Sequence, residues 1–148
     1  MEAGQTPEVL QKVVEIATTA GLHARIDEDA QLVMLGVAID DTRRQTVCVR
    51  DTTRDPKHRI ITVFSPAVEI KKTFISRFSK KMALELLRAN ENIHFARYGI
   101  LETDTSRMVV ASTDHLLDKL DPEELEFSVF SVAMAADMYE KKFGHDVF

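Results

Sequence analysis

The sequence predicts an α+β domain in which helices flank one antiparallel sheet, and three observations carry that prediction. Apolar residues recur at helical spacing near both ends of the chain, around residues 8–20 and 122–143. Between them lie short β-branched runs bounded by Asp- and Thr-rich clusters, the pattern of strands joined by turns. A further helical stretch, residues 79–90, divides these strands into a group of three and a group of two. The expected order is α-β-β-β-α-β-β-α in a single domain spanning residues 1–148, because neither strand group has enough sheet to stand alone. A chain of 148 residues buries roughly two-thirds of its unfolded surface, which makes a metal or disulfide staple unnecessary.

Thr6-Pro7-Glu8 opens the first helix; Leu10, Val13, Val14, Ala17 and Ala20 form its apolar face and Gly21 follows its last turn. Asp27-Glu28-Asp29 reads as a turn before residues 31–39, an apolar run short and valine-rich enough for a buried strand. Asp40-Asp41-Thr42 turns the chain into residues 44–50, where Val47 and Val49 share one face, so the two runs form a hairpin. Residues 51–58, with Pro56, make the longest connection; residues 59–64 form a third strand that Ser65-Pro66 ends or distorts. Ser79 caps the middle helix, with Thr73 and Ser76 as alternative starts, and Met82, Leu84, Leu86 and Leu87 supply its apolar contacts. Residues 94–102 and 107–112 then form a second hairpin around Thr103-Asp104-Thr105-Ser106.

The last helix is the strongest local signal. Asp121 caps its first free N–H groups, and Pro122 suits the first helical position, where its missing donor costs nothing. Glu123, Glu124 and Glu126 sit at the positive end of the helix dipole, and Lys141 and Lys142 at the negative end before Gly144. A helix from 122 to 143 is about 33 Å long. Its apolar residues exceed one face. Leu125, Val129, Val132, Ala136, Tyr139 and Phe143 make one stripe, whereas Phe127, Phe130, Met134 and Met138 make a second. Either the helix is buried on a wide front, or the second stripe meets a second subunit or a client, for which Met and Phe are well suited.

No reaction is declared by the remaining residues. The five histidines lack H-E-x-x-H or Cys/His ligand spacing; His94, Asp114 and His115 form the one cluster that the second hairpin brings within reach of a metal or acid–base role. Cys48 lies in an alternating strand with no activating base in view, and Asp27-Glu28-Asp29 lacks the glycine and distal glutamate of a calcium loop. There is neither a glycine-rich phosphate loop nor G-x-S-x-G. The expectation is a non-enzymatic protein without catalytic residue, cofactor or metal.

The formal net charge of −5 hides a basic middle, residues 41–90, between two acidic flanks. Alternation of this kind speeds encounter with a complementary partner. Lys57-His58-Arg59, Lys71-Lys72 and Arg77 with Lys80-Lys81 are its densest spots, and Phe74 and Phe78 lie among them. That patch reads as a second partner contact or, alternatively, as a platform for single-stranded nucleic acid. A lone cysteine and a start without a basic–apolar leader point to the cytoplasm, and no apolar run approaches the roughly 20 residues that span a bilayer.

The segment Arg88-Ala89-Asn90-Glu91-Asn92-Ile93-His94-Phe95-Ala96-Arg97-Tyr98, with Leu120-Asp121-Pro122-Glu123-Glu124-Leu125 and the element order, resembles the YbjN family. The local similarity lies in the second half of the chain. The resemblance implies a fold like that of type III secretion chaperones and a bacterial, cytoplasmic, non-enzymatic role. It further implies a protein that is often dimeric and binds other proteins, as a chaperone or a sensory transduction regulator. It carries no catalytic residue over to this sequence.

Overall fold

The computed structural model describes residues 7–71 and 80–143. The described residues form three α-helices and a six-stranded antiparallel sheet, so the α+β prediction holds with one strand added. Helix α1 (Glu8–Thr19) ends where Gly21 adopts a φ of +79°, and the Leu22 N–H returns to the Ala17 carbonyl at 2.9 Å, closing a Schellman-type turn. Strand β1 (Ala24–Asp27), to which the sequence assigned only Asp27, as a turn residue, pairs with β2 (Leu32–Ala38) from Ala24↔Leu35 to Asp27↔Leu32. The acidic Asp27-Glu28-Asp29 cluster is the turn of that hairpin, and Asp27 accepts the Ala30 N–H at 3.0 Å.

Strand β3 (Arg44–Asp51) pairs with β2, and β4 (Ile60–Lys71) with β3. Pro66 distorts β4 without ending it: the register against β6 shifts between Pro66 and Val68, and the strand continues to Lys71. Proline is tolerated there because the β3 ladder has already stopped at Phe64, and the Ser65 hydroxyl donates to the Thr46 carbonyl at 2.8 Å instead. Helix α2 (Lys80–Asn90) leads to β5 (Arg97–Glu102) and β6 (Ser106–Leu116), the expected second hairpin, whose second strand is longer than its apolar run. Ser79, Thr73 and Ser76 lie outside the described residues, so α2 is described only from Lys80. After a single 3-10 turn comes α3 (Pro122–Phe143), with the predicted bounds. Glu124 N–H donates to Asp121 at 2.8 Å and Asp121 N–H to Glu124 at 3.2 Å, a reciprocal capping box.

The sheet order is β1-β2-β3-β4-β6-β5. All three helices contribute to one apolar cluster with the inward residues of the sheet, Val33, Leu35, Val47, Val49, Ile61, Val63, Val109 and Ala111. The helices therefore cover one face. A smaller cluster of Cys48, Phe64 and Val110, flanked by Leu32, Met34, Leu101 and Met108, lies on the other face and contains no helical residue. There Arg50 stacks over Phe64, 5.6 Å from the ring centroid.

Two ionic clips fasten the helices to the sheet. Asp118, after β6, meets Arg59 just before β4 and Lys12 of α1, the latter at 3.1 Å. Hydrogen bonds from Arg59 and then Lys12 pull its carboxyl down to about 2. A depressed folded-state value means that the clip contributes above the ordinary value of 3.8 and is lost as the pH falls toward 2. Asp118→Asn should lower the urea midpoint modestly at pH 5, since the group is half exposed. The gap from wild type should close by pH 2; an equal gap at both pH values would show that charge is not the source. The second clip, at the other end of α3, is Asp137, buried, with Arg43 Nε at 2.6 Å and Lys141 Nζ at 3.4 Å. Gln45, also buried, donates to Glu140 at 2.8 Å.

Candidate functional site

The two stripes of α3 have opposite fates. Leu125, Val129, Val132, Ala136 and Tyr139 are buried against the sheet; the side chain of Phe143 lies outside the described set. Phe127, Phe130, Met134 and Met138 are each 42–58 % exposed. These four line an open groove of about 350 Å³, whose opposite wall is Ile93, His94 and Ala96 of the loop between α2 and β5.

That loop adds a residue the sequence reading did not single out. Phe95 is exposed, holds a φ of +68°, and sets its ring edge-on to Phe127 with centroids 4.7 Å apart. A non-glycine residue in the left-handed region is uncommon, and bulky residues there are held by their surroundings. The surroundings here are explicit. Asn90, at the end of α2, accepts the Tyr98 N–H at 2.7 Å and donates to the Tyr98 carbonyl at 3.2 Å, as a strand neighbour would. The Tyr98 hydroxyl reaches across to the Ala135 carbonyl of α3 at 2.6 Å. Loop, edge strand and helix are thereby joined. The sequence placed residues 94–96 in the strand, whereas β5 begins at Arg97 and leaves them in the connection, which is why Phe95 did not stand out as an exposed residue. Tyr98→Phe is expected to cost about 1 kcal/mol in urea denaturation, the usual net value of a buried hydrogen bond; no loss would mean that this hydroxyl does not tether the edge strand to α3.

Helix α2 departs from its expected packing. Leu86 is buried and Ala89 packs against the same core, but Leu84 and Leu87 are exposed, so the described part of the helix turns only a narrow apolar face inward. Phe74 and Phe78, with Lys72 and Arg77, lie outside the described residues.

His94, Asp114 and His115 do not come together as a cluster. Successive residues of a strand point to opposite faces, and His115 turns to the helices, where its Nε2 lies 2.6 Å from the buried Ser128 hydroxyl. Asp114 faces the other way and binds Thr62 and Arg97, each at 2.6 Å. Burial raises its carboxyl, but the hydrogen bonds from Thr62 and Arg97 outweigh this and leave it below the ordinary value. His94 lines the groove. Among the described residues no group of three or more His, Cys, Asp or Glu side chains is placed to hold a metal ion. The Cys48 thiol is pushed up by burial and then by the charge of Asp27, which lowers its reactivity.

Of the basic middle segment, Arg59 is engaged by Asp118 and Glu8, and His58 Nδ1 lies 3.0 Å from Asp55. Lys80 and Lys81 are exposed at the start of α2. No helix among the described residues is long and apolar enough to cross a membrane. No family model matches the chain, and no curated protein shows significant sequence similarity to it.

Proposed function

We propose that the protein is a non-enzymatic protein-binding module, chaperone-like or regulatory, which engages another polypeptide through the outer stripe of α3 and the groove beside it. One observation carries this reading: four half-exposed apolar side chains and Phe95 are contiguous on one side of a helix whose other stripe is buried from Leu125 to Tyr139. Folded domains seldom leave such a patch to water without using it. Methionine and phenylalanine adapt to varied partners, and the long α3 offers the rigid element on which a helix-in-groove contact is built. The pairing of Arg59 with Asp118 and Glu8 occupies one cation of the basic segment, which favours a protein over single-stranded nucleic acid as the partner. The YbjN-like segment contains both Asn90 and Phe95, the pinning residue and the residue it helps present, which fits the binding role implied by that resemblance.

Phe130→Glu is the test. It should abolish the contact the wild type makes, with itself in sedimentation or with apolar peptides on an array, while the melting temperature stays within about 2 °C. A contact that survives both Phe130→Glu and Met134→Glu would overturn the reading.

A further inference from the structure

Resting on the reading of the outer stripe as a protein contact, we propose its occupant: the same stripe of a second copy, with the two α3 helices antiparallel about a two-fold axis level with Val132 and Ala133. The stripe is longer than its four apolar residues. At spacings of four, three, four, four and three it runs Glu123, Phe127, Phe130, Met134, Met138, Lys141, so it is acidic at one end, apolar in the middle and basic at the other. Its exposed members are all on the side away from the core.

A two-fold interface is self-complementary, and about an axis perpendicular to the helices the residues of one copy meet those of the other in reverse order. Reversal places Glu123 against Lys141 of the second copy, Phe127 against Met138 and Phe130 against Met134. These three pairings share one midpoint to within half a residue. A parallel pair would instead set Glu123 against Glu123 and align the helix dipoles, both unfavourable. Lys141 also reaches Asp137 of its own chain at 3.4 Å, but its side chain is 54 % exposed and stays accessible to a second carboxylate. Phe95, edge-on to Phe127, widens the apolar contact toward each end of the pair.

Cysteine cross-linking tests the register on the full chain. Facing positions of helices packed about 8–10 Å apart lie within disulfide reach. A mixture of Phe127→Cys and Met138→Cys should form a cross-linked dimer on mild oxidation, as should Phe130→Cys with Met134→Cys. Phe127→Cys alone should not, since the two copies of that position lie about 16 Å apart along the axis. Glu123→Lys should weaken self-association roughly fivefold at low salt, with the difference shrinking at about 0.5 M salt. A wild type that stays monomeric at about 100 µM, or self-cross-linking of Phe127→Cys, would overturn the proposal. In either case the broader reading is judged separately: a peptide contact or dimer still abolished by Phe130→Glu leaves the stripe a binding surface with a different occupant or register. If the contact survives both Phe130→Glu and Met134→Glu, both readings fall.

Discussion

Leu125→Ala is expected to cost about 3 kcal/mol of folding stability, within the range of large-to-small changes in a packed core. Leu125 is fully buried in the first turn of α3, within the cluster that joins all three helices to the sheet. The truncation removes apolar area from the core and leaves a cavity that capping by Asp121 and Glu124 and the buried Val129 one turn on prevent from collapsing freely. Met138→Ala on the same helix should cost less than about 1 kcal/mol, because that side chain is more than half exposed. Urea denaturation of both variants at pH 7 checks the pair. Equal losses would mean that the two stripes do not differ in what they hold together.

Arg43→Met should lower the melting temperature on the order of 5 °C at neutral pH, since it removes the main partner of a buried carboxylate. In the folded wild type, burial pushes the Asp137 carboxyl up, but the hydrogen bond and charge of Arg43, with smaller contributions from Gln45 and Lys141, bring it below the ordinary carboxylate value. With the folded value depressed, this clip stabilises the fold above the unfolded carboxylate range near pH 4 and is lost as the pH falls through the folded value. In the variant the burial effect is left with weaker opposition, so protonation relieves the unpaired charge. The destabilisation relative to wild type should therefore be largest at pH 7 and shrink toward pH 3. Melting curves at the two pH values decide it: a deficit that is constant or grows in acid would show that Asp137 is not the group responsible.

Legibility in the sequence followed the range of the interactions. The bounds of α3 were readable because the signals are local: Asp121 and Glu124 satisfy one another's backbone N–H groups within one turn. Gly21 likewise marked the end of α1, where its positive φ is required. Strand β1 was missed because its four residues, Ala-Arg-Ile-Asp, carry two charges and become a strand only by pairing with β2. The end of β6 was missed for a similar reason. Thr113, Asp114 and His115 look like turn residues, yet Asp114 and His115 find partners from other elements on opposite faces of the sheet. The two stripes of α3 were legible as a pattern. Which of them faces outward became visible only with the sheet in place.

By itself the sequence determined the α+β class, the three helices and the excess of apolar surface on the last one, since helix periodicity and capping act over one or two turns. Only the tertiary structure decided that the helices share one face of the sheet, that His115 and Asp114 point apart, and that Phe95 joins Phe127 beside the exposed stripe. Those outcomes depend on strand register and long-range pairing, where a shift of one residue exchanges the faces of a strand and no local preference specifies the partner.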